Sequence, residues 1–388
     1  MTEQRFTLLR GGVLFDPMPI DGADVLYFGD RIVAIGNDLT LPIGLPGETV
    51  DLEGRRVSPG LIDLHVHLLG GGGEAGPACR VPEIQLSSLI RAGVTTVVGV
   101  LGTDAVTRSP QALLAKTKAL RSEGISAFMY TGAYELPSPT ITGNVRSDLA
   151  LIEEIIGVKV ALSDHRSPQP SFDELCRLAA EARVGGMLGN KPGIVHVHVG
   201  SGGRRLAPIR RVLEETEIPI TQFLPTHVAR TPELLSDALQ FAAHGGAVDV
   251  TVSGKTPEGL ARLAKTLHTA RDSGAPWKAI TLSSDSNGSM PRFDDAGKLV
   301  GMAAGDIASM PAAVAHLASA GFTFSEVLAL VTHHPALRLG LADRKGRLAV
   351  GHDADLVVWD EQLRIERVIA RGRTMVSDGI ARAKGTFE

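Results

Sequence analysis

His65 and His67 form the first pattern in this 388-residue chain whose residue types and spacing could do chemistry. They end the apolar stretch 59–67, and the glycine run 70–73 and Glu74 follow closely. Residues i and i+2 of an extended strand point to the same side, so the two imidazoles would converge on one spot. Two neutral imidazoles held in this way supply half of a divalent metal site. The glycines would let the backbone approach a ligand closely, with Glu74 beside it.

Apolar runs of strand length recur through the central part of the chain. They span residues 61–68, 94–101, 126–130, 158–162, 194–199, 222–226, 247–252 and 279–282. Helix-start signals lie between several of them, and two of these signals, each with Pro at the first helical position, predict helices over 111–121 and 234–243. Eight strand–helix units over about 250 residues are typical of a (β/α)₈ TIM-type barrel. An open doubly wound sheet is the alternative.

Both ends of the chain have a different sequence pattern from the central part, with short strand-like runs and few helix signals. These runs span 6–14, 24–28, 31–35 and 56–57 near the N-terminus, and 346–351, 355–359 and 366–370 near the C-terminus. Because termini are often neighbours in space, the two ends are predicted to form one small β-sandwich domain. The predicted division is residues 1–58 with 346–388 for the β-domain and 59–345 for the barrel.

Composition excludes several classes of partner. A formal net charge of −4 gives no signal for nucleic acid. The first residues lack a signal-peptide pattern, and no apolar run approaches the roughly 18 residues that span a bilayer. Cys79 and Cys176 lie far apart and in no metal spacing, as in proteins of a reducing compartment. We therefore expect a cytoplasmic protein without a nucleic-acid or membrane partner.

Residues of ligand type fall where the predicted strands end, which is where a barrel collects its functional groups. In strand order they are His65, His67, Lys159, His198, His227 and Asp285. Lys159 lies between two valines, where a free ammonium would be costly. Reaction with carbon dioxide would convert its amine to a carbamate, a carboxylate that can bridge two metal ions. His196 shares the strand face of His198 and is the alternative to it.

This constellation resembles the amidohydrolase superfamily of binuclear metal hydrolases, and most closely its isoaspartyl (β-aspartyl) dipeptidase family. The stretches that carry the resemblance are 59–67 with 70–74, 101–104, 131–134, 163–166, 224–230, 283–289, 353–358 and 384–388. They extend over almost the whole chain. The metal-ligand set is shared across the superfamily, whereas the glycine run with Glu74 and the two arginines of the matched stretches indicate the narrower family.

The resemblance implies a catalytic centre of two zinc ions bridged by a hydroxide and by carbamylated Lys159. The other implied ligands form two sets, His65 with His67 and Asp285 for one ion, and His198 with His227 for the other. Asp285 would also accept the proton of the attacking water and deliver it to the leaving amine. Tyr134 would donate a hydrogen bond to the developing oxyanion. Asp164 and His165 are interpreted as structural residues.

The expected substrate, a β-aspartyl dipeptide, carries one ammonium and two free carboxylates around its scissile bond. Glu74 could bind the ammonium, and Arg166 and Arg230 offer planar forks suited to the carboxylates. Which arginine takes which carboxylate stays open. The resemblance adds smaller polar contacts at Gly72, Gly73, Thr103, Tyr134 and Ser289.

Two other functions compete with this one. Another binuclear amidohydrolase, such as a cyclic amidase or an N-acyl amino acid deacylase, would share the metal ligands but would not need Glu74 with both arginines, which could then be surface ion pairs. A non-catalytic scaffold would have lost ligands, and none is lost. The segment 249–259 and Ser286 depart from the family pattern near the pocket. Family resemblance also implies a homo-oligomer, with an octamer as one form.

Overall fold

Seven short strands precede the barrel in the computed structural model, which describes residues 5–293 and 299–388. They are β1 (Phe6–Arg10), β2 (Val13–Asp16), β3 (Met18–Pro19), β4 (Asp24–Phe28), β5 (Arg31–Gly36), β6 (Gly47–Asp51) and β7 (Arg56–Pro59). Four of them form a sheet in the order β5-β4-β1-β6. The run 6–14, expected as one strand, is divided at Gly11, whose φ of 72° turns the chain so that β1 and β2 enter different sheets.

Eight parallel strands then form the barrel, as predicted. They are β8 (Leu61–Val66), β9 (Val94–Gly99), β10 (Ser126–Gly132), β11 (Ile155–Leu162), β12 (Ile194–Val199), β13 (Phe223–Thr226), β14 (Val248–Thr251) and β15 (Ile280–Ser283). Each strand pairs with the next in chain order. The ring closes where Ser286 forms a parallel bridge with Val66 and accepts a hydrogen bond from the backbone N–H of His67 at 2.9 Å. The (β/α)₈ fold class is therefore confirmed.

Helices follow the strands on the outside of the barrel. They are α1 (Leu86–Arg91), α2 (Pro110–Glu123), α3 (Val145–Leu151), α4 (Phe172–Leu188), α5 (Ala207–Glu215), α6 (Pro232–Ala243), α7 (Pro257–Asp272), α8 (Ser309–Ser319), α9 (Phe324–Val331) and α10 (His333–Arg338). The predicted starts of α2 and α6 are confirmed, because Ser109 and Thr231 accept backbone N–H groups of the first helical turn. No helix of the described part of the chain is long and apolar enough to cross a membrane.

After the last barrel strand, β16 (Ser289–Phe293) and β17 (Leu299–Ala304) form a separate hairpin. Four strands near the C-terminus then complete the β-domain. They are β18 (Leu356–Trp359), β19 (Ile365–Ala370), β20 (Arg373–Ser377) and β21 (Ile380–Ala381). Strands from both termini share a sheet in the order β21-β20-β19-β18-β7-β2-β3. Strands β7 and β8 are separated only by Gly60, and we propose that the domain boundary lies here, near residue 58.

The strand-like run 346–351 was a wrong prediction, because this segment contains no strand. One of its backbone N–H groups donates to a side chain, and no β-ladder forms. The N–H of Leu348 donates to the carboxylate of Asp16 at 2.7 Å, and Arg347 pairs with the same carboxylate at 2.6 Å. Gly346 has a φ of 75°, which interrupts extended backbone at the start of the run.

Alternation along β12 shows how the strands position the site. Val195, Val197 and Val199 belong to the large apolar core that also includes residues of the outer helices. His196 and His198 therefore point to the other side, into the barrel. Burial of each valine contributes about 1.5–3 kcal/mol, which holds the strand in this register.

Candidate active site

A cavity of about 610 Å³ opens at the end of the barrel where the strands terminate. Most of the predicted site residues line it: His67, Gly72, Glu74, Thr103, Tyr134, Arg166, His198, Arg230, Asp285 and Ser289. His65, Lys159 and His227 lie buried beside these residues. The structure therefore brings these predicted site residues together in and beside this cavity.

A cluster of potential metal ligands lies at the inner end of this cavity. His65, His227 and Asp285 each offer one ligand atom, and the three atoms lie within 4.8 Å of one another. Oδ1 of Asp285 is 3.4 Å from Nε2 of His65 and 3.2 Å from Nε2 of His67. Burial lowers the pKa of His65 and of His227 well below the usual range. Both rings are therefore neutral at physiological pH and have a nitrogen lone pair for a cation.

The chemistry of this donor set fits a metal ion. Burial would raise the pKa of Asp285, but its close contact with His67 and the nearby charge of Lys159 outweigh this effect, so the pKa is lowered and the group is a carboxylate. Its buried Oδ1 has no hydrogen-bond partner among the described residues. An anionic oxygen without a donor, facing neutral imidazoles, is the arrangement that zinc and similar divalent ions bind.

Lys159 is fully buried on β11, as its apolar flanks predicted. Its Nζ lies 3.2 Å from Nε2 of His65. Burial lowers the pKa of this ammonium to about 7, although the carboxylates of Asp285 and Asp249 oppose the shift. The lowered pKa favours the neutral amine, which is the form that reacts with carbon dioxide.

The structure separates His198 from its alternative His196. The His198 ring lines the cavity, and its centroid lies 4.7 Å from that of His227. His196 is fully buried below it, where its ring stacks on Tyr130 at 4.7 Å and its Nε2 lies 3.0 Å from Nδ1 of His65. Only His198 thus has access to the cavity, which supports it as the ligand.

Asp164, which was interpreted from the sequence as a structural residue, contacts two candidate site residues in the structure. Its Oδ2 accepts from Nε2 of His198 at 2.9 Å, and its two oxygens accept from Nε and Nη2 of Arg166 at 3.0 and 2.9 Å. Burial would raise the pKa of Asp164, but these hydrogen bonds hold it well below its usual range. The carboxylate thereby orients a candidate metal ligand and a candidate substrate-binding group together. The neighbouring His165 side chain is 89% exposed.

Two further hydroxyl groups touch the candidate histidine ligands. The Tyr134 hydroxyl hydrogen-bonds with Nδ1 of His198, and the Thr251 hydroxyl lies 2.6 Å from Nδ1 of His227. Burial raises the pKa of Tyr134, so its hydroxyl keeps its proton and can donate it. Thr251, at the end of β14, was missed, because a lone threonine at a strand end gives no distinctive sequence signal.

Glu74 lies at the mouth of the cavity among other residues that were predicted to contact the substrate. Thr103 and Ser289 donate their hydroxyls to its two oxygens at 3.2 and 3.0 Å, and Nη1 of Arg166 is 3.4 Å away. Glycine is required in this loop at Gly72, where φ is 90° and a Cβ would collide with the carbonyl oxygen of Cys79. The loop therefore folds back on itself and presents the carboxylate to the cavity.

Arg230 also lines the cavity and is exposed. Within the described ranges, no carboxylate lies within ion-pair distance of it. Arg166, in contrast, is already paired with Asp164, and its guanidinium carbon lies 5.5 Å from the centre of the Tyr134 ring. The two arginines are thus held in different ways.

A groove of similar size, about 640 Å³, lies between α6 and α7. Its described lining residues include no histidine and no carboxylate. It shares only Arg230 with the first cavity. Because the candidate metal ligands lie at the cavity at the strand ends and not at this groove, that cavity is the candidate active site.

Comparison with known proteins finds relatives that cover most of the chain. The amidohydrolase family model matches residues 56–375. A β-aspartyl dipeptidase of Fervidobacterium islandicum AW-1, solved in complex with β-Asp-Leu, is 40% identical, with 97% of this chain and 98% of that chain covered and a TM-score of 0.90. A second structure of a β-aspartyl dipeptidase from that organism is 38% identical, with the same coverage and a TM-score of 0.88. Imidazolonepropionase of Stenotrophomonas maltophilia is 27% identical over 381 residues, 88% of each chain.

Proposed function

We propose that this chain, which belongs to the amidohydrolase family and within it to the β-aspartyl dipeptidases, hydrolyses β-aspartyl (isoaspartyl) dipeptides with the help of bound metal ions. One observation carries the proposal. The charged side chains that line the cavity around the candidate metal ligands include the carboxylate of Glu74 and the guanidinium groups of Arg166 and Arg230. These charges complement the single ammonium and the two free carboxylates of a β-aspartyl dipeptide.

The metal centre in this proposal contains two zinc ions. His65, His67 and Asp285 would hold one ion, and His198 and His227 the other. Lys159 would bridge them after its neutral amine adds carbon dioxide, forming an N–C bond and releasing one proton. Such a pair of ions supplies hydroxide at neutral pH and polarises the scissile carbonyl.

The side chains of the cavity have separate tasks in the reaction. The carboxylate of Asp285 is ionised, so it can accept the proton of the attacking water and pass it to the nitrogen of the leaving amine. Tyr134 keeps its hydroxyl proton and can donate it in a hydrogen bond to the oxyanion. Glu74 binds the α-ammonium. The adjacent Arg166 suits the α-carboxylate of the aspartyl unit, which leaves Arg230 for the carboxylate of the departing residue.

The test uses purified protein, β-Asp-Leu, α-Asp-Leu and a measurement of zinc per chain. We expect about two zinc ions per chain and hydrolysis of the β-linked peptide, with much slower hydrolysis of the α-linked one. Arg230→Gln should raise KM for β-Asp-Leu, whereas the matched surface variant Arg262→Gln should not. A fully metallated protein that cleaves neither peptide would overturn the proposal.

A second candidate function comes from the curated relatives named imidazolonepropionase. It would use the same candidate metal ligands, but it gives no reason for Glu74 to lie beside Arg166. Assaying imidazolonepropionase activity in the same zinc-loaded sample separates the two candidates. Activity there without hydrolysis of β-Asp-Leu would favour the second one.

A further inference from the structure

Arg108 is a buried arginine near the cavity that neither the candidate metal cluster nor the predicted substrate contacts include. Its side chain is only 6% exposed. Nε donates to the carbonyl oxygen of Leu69 at 3.2 Å, and Nη2 donates to those of Gly71 and Val81 at 3.0 and 3.3 Å. Nη1 donates to Oδ2 of Asp104 at 2.9 Å. One guanidinium thus contacts four groups on two separate loops.

The first of these loops, residues 69–81, carries Glu74. Its two arms meet where the N–H of Val81 donates to the carbonyl of Gly71 at 3.0 Å, and Gly72 pairs with Arg80 in an antiparallel bridge. The contacts of Arg108 fall on this same neck of the loop. Glu74 lies just beyond the neck, so its position depends on how the neck is held.

The second loop follows β9 and carries Thr103, whose hydroxyl donates to Glu74 at 3.2 Å. Asp104, the next residue, accepts from the N–H groups of Val106 and Thr107 at 3.1 and 2.8 Å, as well as from Arg108. Asp104 therefore anchors its own loop and connects it to the buried guanidinium. Arg108 joins the loop of Glu74 to the loop of Thr103.

We propose that Arg108 is a positioning residue that sets the spacing of Glu74 and Thr103 and thereby the preference for substrates with a free α-ammonium. This inference rests on the proposed dipeptidase function. Arginine suits the task because its planar fork has five donors in a fixed geometry, whereas the lysine ammonium is a point charge with three. A lysine here would leave buried carbonyl oxygens without donors and allow the two loops to shift.

Arg108→Lys tests the proposal with two substrates. They are β-Asp-Leu and N-succinyl-leucine, which has the same amide and both carboxylates but lacks the ammonium. In the variant, KM for β-Asp-Leu should rise about tenfold while kcat changes less than about threefold. The kcat/KM for N-succinyl-leucine should stay within about twofold of wild type. A general loss of structure would instead reduce turnover of both substrates and lower the unfolding temperature.

Glu74→Gln and the double variant show whether Arg108 acts through Glu74. If it does, Arg108→Lys should add little to the KM effect of Glu74→Gln, because the two changes disrupt the same ammonium contact. Arg121→Lys, the same substitution at the end of α2, is the matched control and should leave KM unchanged. If Arg108→Lys does not fold, Asp104→Asn weakens the same connection from the other loop and should raise KM in the same direction.

The outcomes for this inference and for the proposed function are distinguishable. No hydrolysis of β-Asp-Leu by zinc-loaded wild type overturns the function. Hydrolysis by wild type together with an unchanged KM in folded Arg108→Lys or Asp104→Asn overturns the role of Arg108 alone. Additive effects of Arg108→Lys and Glu74→Gln, or equal losses for both substrates, overturn it as well.

Discussion

Replacing Asp164 with Ala should weaken metal binding and substrate binding in one step. The carboxylate accepts a hydrogen bond from His198, a candidate metal ligand, and a two-pronged pair of hydrogen bonds from Arg166. Alanine removes all of these contacts. Since the Asp164 side chain is only 4% exposed, water has little room to replace the lost carboxylate.

The expected size of the Asp164→Ala effect depends on His198 and Arg166, the two groups that lose their hydrogen-bond acceptor. His198 is 1% exposed, and an imidazole N–H buried without an acceptor costs about 1–3 kcal/mol. A carboxylate behind a metal-binding histidine contributes about 10- to 100-fold in metal affinity. Arg166 is 25% exposed, so water can solvate its freed donors and its loss is smaller. We therefore expect zinc affinity to fall about 10- to 100-fold and KM for β-Asp-Leu to rise less than that.

Asp164→Asn separates the two contributions. An amide oxygen at the Oδ2 position still accepts from His198, but the amide nitrogen then faces Nε of Arg166, where Oδ1 accepted at 3.0 Å. Two donors opposed in this way repel each other. We expect Asp164→Asn to keep zinc affinity within about threefold of wild type and to raise KM.

The assay is competition for zinc with a chelator, followed by kinetics on zinc-saturated protein. Asp272→Ala, an exposed change at the last residue of α7, is the control for generic loss of a carboxylate. Zinc binding by Asp164→Ala that equals wild type would refute the assigned role of Asp164. Equal zinc affinities for the Ala and Asn variants, both weakened, would show that charge and not the hydrogen bond to His198 matters.

The other predictions concern three charged side chains. Glu74→Gln should lower kcat/KM for β-Asp-Leu about 10- to 100-fold, measured against N-succinyl-leucine, because it removes the charge that faces the ammonium. Because burial lowers the pKa of Lys159 to about 7, zinc uptake by metal-free protein in bicarbonate should increase as pH rises from about 6 to about 8. Lys345→Met should reduce the free energy of unfolding in urea by about 3–5 kcal/mol, because it leaves the buried carboxylate of Asp355, 2.6 Å from Nζ, without its cation and leaves Asp353 with Arg31 alone.

Each of these has a control and a contrary result. An equally large loss of kcat/KM for N-succinyl-leucine in Glu74→Gln would argue against an ammonium contact. Lys159→Ala should show no bicarbonate-dependent uptake and no activity, and a bicarbonate effect that survives it would exclude the carbamate. Lys384→Met, near the C-terminus, is the control for Lys345→Met, and equal stability of both variants would contradict the buried ion-pair argument.

The barrel could be predicted because its strands carry a strong local signal. Runs such as the one that became β12 are apolar and β-branched, and proline-capped helix starts lie between several of them. The terminal segments were less predictable, because short strands and turns differ mainly in where their backbone hydrogen bonds go. The run 346–351 looks like a strand, but Asp16, more than 300 residues away, takes its hydrogen bond.

The site was predictable where a residue type is unusual for its position. A lysine between valines or two histidines at spacing i, i+2 is conspicuous in a buried strand. Asp164 and Arg108 were not conspicuous, because aspartate and arginine in loops are ordinary surface residues. The choice between His196 and His198 likewise depended on depth in the barrel, where Tyr134 contacts only the latter.

The end of β11 couples the two halves of the site. Lys159 lies on this strand, and Asp164 and Arg166 follow its last residue, Leu162, within one turn. A shift of this strand end would displace the candidate metal bridge and a carboxylate-binding arginine together. Glu74 is different, because its loop is joined to the barrel mainly by hydrogen bonds from other loops. Changes in residues 69–81 should therefore alter the preferred substrate while zinc affinity stays unchanged, whereas changes in 163–166 should alter both.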